Sequence, residues 1–159
     1  MKILNIFIDG AARGNPGPSA IGVVLSNKNG DVIKNISKYI GKATNNVAEY
    51  TALVFALDEA RNIGAEELTI NTDSELLAKQ LSGEYKVKNS ALKELNAKIM
   101  RMLSGFSEVK INKIPRNDNK GADKLANKAL DANISKIKKK PVTSFILKTK
   151  NKNVLDTLF

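Results

Sequence analysis

The chain has 159 residues, a length that suits one compact domain. It contains no cysteine and no histidine, which excludes disulfides, zinc sites built on Cys or His, cysteine nucleophiles and Ser-His-Asp triads. The net charge of +10, from 26 basic and 16 acidic residues, favours a polyanionic partner such as nucleic acid, although a base composition that over-uses Lys, Asn and Ile is the alternative. No apolar run approaches the about 20 residues of a membrane span, so we expect no membrane partner and a cytoplasmic protein.

The first third of the chain contains three segments that are predicted to be strands. Residues 3–8, 20–26 and 32–40 are rich in β-branched and apolar residues. A Gly- and Pro-rich loop separates the first two, and Asn29-Gly30 is typical of a hairpin turn between the second and third. Short connections of this kind predict an antiparallel meander.

From residue 44 the apolar period changes from two to the spacing of a helix. Thr44, Asn45 and Asn46 offer N-cap chemistry, and Gly64 is a suitable stop. A strand reached through a helix is expected to run parallel to the first strand. The remaining predicted elements are a strand at 67–72, helices at 74–81 and 90–103, a strand at 109–114 and a helix at 120–132. The order βββαβααβα predicts an α/β fold with a mixed five-stranded sheet and helices on both faces.

Four acidic residues fall where such a fold forms sites. Asp9 and Asp73 each end a predicted strand, and sites form at the carboxyl ends of parallel strands. Glu49 and Asp123 lie in the first turns of two helices. Singly, each is explained as a helix-start charge, a cap or a turn residue. Together, converging carboxylates repel unless a cation lies among them, which favours Mg²⁺ or Mn²⁺ bound by oxygen ligands.

The four stretches IDGAARGNPGPSAIGVV, TNNVAEYTAL, INTDSELL and IPRNDNKGADKLANKAL resemble, in order and spacing, type 1 ribonuclease H. The resemblance covers about residues 1–132. It implies the ribonuclease H fold and an Asp-Glu-Asp-Asp site in which Asp9, Glu49, Asp73 and Asp123 are the catalytic metal ligands. It also implies two Mg²⁺ ions, with Mn²⁺ as a substitute, and hydrolysis of the RNA strand of an RNA–DNA hybrid to 3′-hydroxyl and 5′-phosphate ends.

The same resemblance implies roles for individual residues around the acids. Asp9 and Asp73 would be the central ligands, Glu49 would hold the ion that assists departure, and Asp123 the ion that activates water. The family reads its hybrid through shape and 2′-hydroxyls in the minor groove, and Thr44 matches a position that contacts a phosphate of the DNA strand. The positions that match substrate contacts are Gly10, Ala11, Ala12, Arg13, Gly14, Asn15, Thr44, Asn45, Asn46, Ser74, Glu75, Arg116 and Asn117.

Two departures from the family pattern stand out. Many members carry a mobile histidine before the last Asp, whereas this chain has Arg116, Asn117 and Asp118 in that loop. Arg116 either contacts a product phosphate or merely adds positive charge. Some members also have a basic helical protrusion, but here only residues 83–90 join the two helices, and Lys86 and Lys88 are either weak contacts or a solvated turn.

Residues 133–159 are predicted to be a basic C-terminal tail, either disordered or adding a strand through VTSFILK. The lysine-rich run at 136–140 either grips the hybrid or belongs to a disordered tail. The terminal LDTLF resembles peptides that bind sliding clamps, although it lacks their usual Gln. We expect a monomer. Cleavage of double-stranded RNA as well, a non-catalytic hybrid-binding module, and a junction resolvase or transposase on the same fold are the alternatives.

Overall fold

The computed structural model describes residues 2–139, which form a five-stranded sheet in the order β3-β2-β1-β4-β5 with helices on both faces. The predicted fold class and element order are confirmed. A short 3-10 helix at Arg116–Asn119 is an addition that the sequence pattern did not predict. No helix within the described range is long and apolar enough to cross a membrane. The elements are β1 (Ile3–Ala12), β2 (Gly17–Asn27), β3 (Val32–Ala43), α1 (Asn45–Ile63), β4 (Glu67–Thr72), α2 (Glu75–Ser82), α3 (Ser90–Leu103), β5 (Glu108–Lys113) and α4 (Lys120–Lys139).

Strand β1 lies at the centre of the sheet. Its alternate residues Leu4, Ile6 and Ile8 are completely buried, as expected of a strand with one face in the core. It pairs antiparallel with β2 and parallel with β4, so the predicted parallel arrangement is confirmed. The parallel ladder ends at the pair Ile8 and Thr72. The next residue after each member of this pair is an aspartate, Asp9 or Asp73, so the two aspartates lie just beyond the end of the parallel ladder.

The prediction that Asp9 ends the first strand is wrong. β1 continues to Ala12, because Gly10 and Ala12 remain paired with Ile21 and Ser19 of β2. Only the parallel pairing of β1 with β4 stops at Ile8. The Gly- and Ala-rich composition after Asp9 favoured a loop, but antiparallel pairing with β2 outweighs the low strand propensity of glycine.

Two glycines show that helices α1 and α4 lie on opposite faces of the sheet. Asp9 and Gly22 are paired and so face the same side, whereas Gly10 faces the other. A Cβ atom at Gly22 would lie 1.9 Å from the carbonyl oxygen of Ala122 in α4, and one at Gly10 would lie 2.3 Å from the carbonyl carbon of Ala48 in α1. Both helices thus rest directly on strand backbone, and any side chain at these two positions would push them away.

Helix α1 begins and ends as predicted. The Thr44 hydroxyl oxygen accepts a 3.2 Å hydrogen bond from the Val47 N–H, and Gly64 ends the helix with φ of 83°. Leu53 and Leu57 of α1 are completely buried against the sheet. This packing fixes the N-terminal part of α1, which carries Glu49, relative to β1.

Helix α4 is longer than predicted, since it continues to Lys139 rather than ending near residue 132. Pro141 is the first helix-breaking residue after Asn133. No residue between them interrupts the helix, so it continues past residue 132. Ala122, Ala126 and Leu130 are buried along one side of α4. Residues 140–159, including the predicted VTSFILK strand and the LDTLF peptide, lie outside the described residues.

Candidate active site

Three of the four predicted acids meet at one point. Asp9 of β1, Glu49 of α1 and Asp73 after β4 each offer a carboxylate oxygen, and these oxygens lie within 4.8 Å of one another. The parallel ladder places Asp9 beside Asp73, and the contact of α1 with Gly10 brings Glu49 over the same edge. The fold therefore brings these three side chains together, as predicted.

The fourth acid, Asp123, approaches from the opposite face. It lies in the first turn of α4 and lines the same cleft as the other three. After burial and the charge of Asp73, the charge of Asp123 also raises the pKa of Asp9. Because α4 contacts the sheet backbone at Gly22, the residue paired with Asp9, the position of Asp123 depends on the absence of a side chain at Gly22.

The site disfavours the charged forms of Asp9 and Glu49. Burial and the charge of Asp73 raise the pKa of Asp9 to about 7, against an ordinary value of 3.8. Burial and the charge of Asp9 likewise raise the pKa of Glu49 well above its usual range, although the Gly10 backbone N–H lowers it in part. Repulsion among these carboxylates destabilises the folded protein unless a positive charge lies among them.

The donor set fits a hard divalent cation. Glu49 Oε2 is buried and has no hydrogen-bond partner within the described residues, although buried carboxylate oxygens are normally satisfied. Three oxygen ligands from three elements, without nitrogen or sulfur, match the preference of Mg²⁺ and Mn²⁺ over zinc. A cation among the carboxylates would both satisfy this oxygen and remove the repulsion.

The acids lie at the bottom of an open cleft of about 500 Å³. Most of the predicted substrate-contacting residues lie around its rim. Gly14, Asn15, Thr44, Glu75 and Asn117, which were also predicted, do not line the cleft. Its lining consists of Asp9, Gly10, Ala11, Ala12, Arg13, Asn45, Asn46, Glu49, Asp73, Ser74, Arg116, Asp123, Asn127 and Leu130.

Two asparagines join the end of β1 to the start of α1. The Asn45 side-chain oxygen accepts a 3.0 Å hydrogen bond from the Ala12 N–H, and the Asn15 side-chain oxygen accepts a 3.1 Å bond from the Asn45 N–H. Thr44 caps α1. Asn15 and Thr44 thus shape the rim of the cleft from outside it.

The loop that replaces the family's histidine forms the 3-10 helix. Arg116 lines the cleft and Asn117 does not. Asn119, which sequence reasoning missed, is completely buried, and its side-chain N–H donates a 2.8 Å hydrogen bond to the Ile8 carbonyl oxygen. This bond ties the segment that leads into α4 to the backbone immediately before Asp9.

Sequence reasoning also missed three residues of α4. Asn127 and Leu130 line the cleft, and Asp131 accepts a 2.6 Å hydrogen bond from the Arg13 guanidinium. The available signal was that Asn127 and Asp131 follow Asp123 at intervals of four residues, which places the three on the same side of a helix.

Comparison with known proteins agrees with this geometry. The family model described as "Reverse transcriptase-like" matches residues 7–129. A protein named Ribonuclease HI from Halobacterium salinarum is 41% identical over 128 residues, which is 80% of this chain. The chain spans 64% of that relative's length, and 36% of the length of a bifunctional protein of Mycobacterium tuberculosis that it also matches.

Solved structures show the same relationship at the level of the fold. The crystal structure of RNase H1 from Halobacterium salinarum has a TM-score of 0.80 at 40% identity and covers 82% of this chain and 98% of its own. LC11-RNase H1, crystallised in complex with RNA/DNA hybrid, has a TM-score of 0.79 at 42% identity and covers 82% of this chain and 99% of its own. The resemblance noted in the sequence thus extends to the fold, and the chain belongs to the type 1 ribonuclease H family.

Proposed function

We propose that this chain hydrolyses the RNA strand of RNA–DNA hybrids, leaving 3′-hydroxyl and 5′-phosphate ends. The observation that carries the proposal is the cluster of Asp9, Glu49 and Asp73, with a buried Glu49 oxygen that lacks a partner. Family membership supports the reaction class, and the hybrid bound to LC11-RNase H1 supports the substrate class.

Asp9, Glu49, Asp73 and Asp123 would hold two divalent ions, Mg²⁺ in the first place and Mn²⁺ as a substitute. Such ions, when bound, acidify a water molecule and stabilise the leaving oxygen of a phosphodiester. The chain's own contribution is to hold three carboxylates at one point, with the fourth, Asp123, lining the same cleft, so that little reorganisation accompanies the reaction.

The rim of the cleft would bind the hybrid through its backbone. Among the residues that line the cleft, Arg13 supplies positive charge, and Asn45 and Asn46 supply amide groups. These groups suit phosphates and 2′-hydroxyls, which identify an A-like duplex without reading base edges. We therefore expect weak sequence preference.

Arg116 lies in the loop where many relatives carry a histidine, and it would contact the substrate there. It lines the cleft together with Asp123, and a guanidinium can bind a phosphate through two parallel hydrogen bonds. A histidine is not required for proton removal when metal ions already acidify the water. Arg116 therefore suits contact with the scissile or product phosphate.

The test is cleavage of labelled RNA–DNA hybrid, double-stranded RNA and double-stranded DNA, each with Mg²⁺, Mn²⁺ or EDTA. We expect metal-dependent cuts in the RNA strand of the hybrid, and loss of cleavage in Asp9→Asn and Glu49→Gln. Cleavage in EDTA, or full activity of Asp9→Asn, would contradict the mechanism. Binding without cleavage would indicate a hybrid-binding module, cleavage of double-stranded RNA a broader substrate range, and cleavage of double-stranded DNA a resolvase-like activity.

A further inference from the structure

Three polar side chains lie at successive turns of α4, and the first two of them line the cleft. Asp123, Asn127 and Asp131 are separated by four residues each and so project from one side of the helix. Arg13, which follows the last residue of β1, reaches this side. Its Nη2 donates a 2.6 Å hydrogen bond to Asp131 Oδ1 and a 3.4 Å hydrogen bond to Asn127 Oδ1.

Asn127 lies between an obligate donor and an obligate acceptor. Its Nδ2 donates to Asp123 twice, to the carbonyl oxygen at 3.0 Å and to the carboxylate Oδ1 at 3.2 Å. A guanidinium can only donate and a carboxylate only accept. The Asn127 amide therefore has one satisfactory orientation, with its nitrogen toward Asp123 and its oxygen toward Arg13.

We propose that Asn127 is a positioning residue that holds the Asp123 carboxylate in the cleft and is itself oriented by Arg13. The inference rests on the proposed function, in which Asp123 is a metal ligand. Asp123 lies outside the group of three acids whose oxygens converge, and it is carried by a half-exposed position on a helix. Its side chain consequently needs a partner to stay turned toward the cleft.

The residue type is specific to this task. Aspartate would have nearly the same size as Asn127 but would repel Asp123 and offer it no N–H donor. Leucine would have a similar volume but no polar group. Hydrogen bonds from neighbouring residues to metal-ligating carboxylates typically change metal affinity or activity by about 10–100-fold when they are removed.

The experiment compares Asn127→Leu and Asn127→Asp with wild type and with Asn133→Leu, a matched change on the same helix at a residue that does not line the cleft. Mn²⁺ binding to the protein without nucleic acid is measured by calorimetry, and kcat and KM are measured on the hybrid. Both Asn127 variants should need about tenfold more Mn²⁺ for half-saturation and show about tenfold lower kcat. KM should change less than twofold, because the bond between Arg13 and Asp131 remains. The Asn133 variant should match wild type in all three quantities.

The proposal is overturned if either Asn127 variant is folded and keeps its Mn²⁺ affinity and kcat within twofold of wild type. It is also overturned if the loss is confined to KM, since that would make Asn127 a substrate contact. Should Asn127→Leu fail to fold by circular dichroism, Asn127→Asp decides the test, because its size and shape are retained. If the wild type binds Mn²⁺ and cleaves the hybrid, and the Asn127 variants do so equally well, this inference is refuted and the proposed function stands. If the wild type neither binds Mn²⁺ nor cleaves the hybrid, both the proposed function and this inference are refuted.

Discussion

The backbone of Gly22 in β2 lies against the carbonyl of Ala122 in α4 so closely that a Cβ atom at Gly22 would approach its oxygen to 1.9 Å. Neither partner can yield easily, because one is an interior strand of the sheet and the other is the first turn of a helix held by buried residues. The contact sets how far Asp123 lies from Asp9, since Asp9 is the residue paired with Gly22.

We therefore expect Gly22→Ala to damage both stability and activity. Overpacking of this kind costs about 1–3 kcal/mol, and displacement of α4 would move Asp123 away from the other acids. Gly121→Ala is the matched control, because its Cβ would meet only Val24 Cγ2 at an ordinary 3.5 Å. That variant should gain about 0.5–1 kcal/mol from helix propensity. Urea unfolding and hybrid cleavage measure both effects, and equal behaviour of the two variants would refute the packing argument.

The charge repulsion among the acids predicts a specific pH dependence for the metal-free protein. The pKa of Asp9 rises from 3.8 to about 7 on folding, so between these values the folded state binds the proton and the unfolded state does not. The free energy of unfolding should then fall as pH rises through this window. Asp9→Asn removes the part of this pH dependence that is due to Asp9, and we expect it to stabilise the metal-free protein at pH 8 by on the order of 1–2 kcal/mol.

Urea unfolding at pH 5 and pH 8 in EDTA checks this expectation. Asp58→Asn, at an exposed position on α1, is the control and should show the pH dependence of wild type. Adding Mg²⁺ should raise the melting temperature of wild type at pH 8 and do so far less for Asp9→Asn, since only the native site binds the ion. A destabilising effect of Asp9→Asn at pH 8 in EDTA would contradict the electrostatic account.

The ion pair of Arg13 and Asp131 predicts opposite roles for its two partners in hybrid binding. Both side chains are substantially exposed, so breaking the pair should cost less than about 1 kcal/mol of stability. Arg13→Ala should weaken hybrid binding and reduce its salt dependence by about one phosphate contact. Asp131→Ala should leave binding unchanged or tighter, because it releases the guanidinium for phosphate. If Asp131→Ala weakens binding as much as Arg13→Ala, the ion pair itself is needed for the substrate.

The extent of α4 revises where the C-terminal tail is best removed. A chain ending at Lys139 keeps the whole described helix, whereas ending at residue 133 would cut it. Residues 140–159 contain four lysines and one acid, so their removal should keep metal-dependent cleavage but weaken binding and flatten its salt dependence. Fluorescence titration of labelled hybrid at several salt concentrations measures this, and an unchanged slope would leave these residues without a role in binding.

Much of the fold could be predicted because local patterns and tertiary structure agree. The alternating apolar residues of β1, the cap at Thr44 and the stop at Gly64 all appear in the structure as the sequence suggests. The meeting of Asp9 and Asp73 followed from one rule, that neighbouring parallel strands carry sites at their carboxyl ends. These inferences need only the sequence near each residue and a plausible order of strands.

The features that escaped prediction depend on contacts between distant segments. Arg13 meets Asp131 across 118 positions, and Asn119 meets Ile8 across 111. The continuation of β1 past Asp9 depends on pairing with β2 and not on the propensities of Gly10 to Ala12. Asn127 carried a spacing signal, but an asparagine one turn after an acid is also an ordinary solvated residue until Arg13 is placed beside it.

The end of the parallel ladder at Ile8 and Thr72 has a consequence for which ions the cleft can accept. Asp9 and Asp73 extend from hydrogen-bonded strands whose separation is about 4.8 Å in any sheet, so the distance between their backbones cannot adapt. Glu49 and Asp123 are carried by helices packed on the sheet backbone, but their side chains can change rotamer. A difference in ionic radius between one metal and another must therefore be absorbed by the two helix-borne carboxylates, while the sheet keeps the same spacing for every ion.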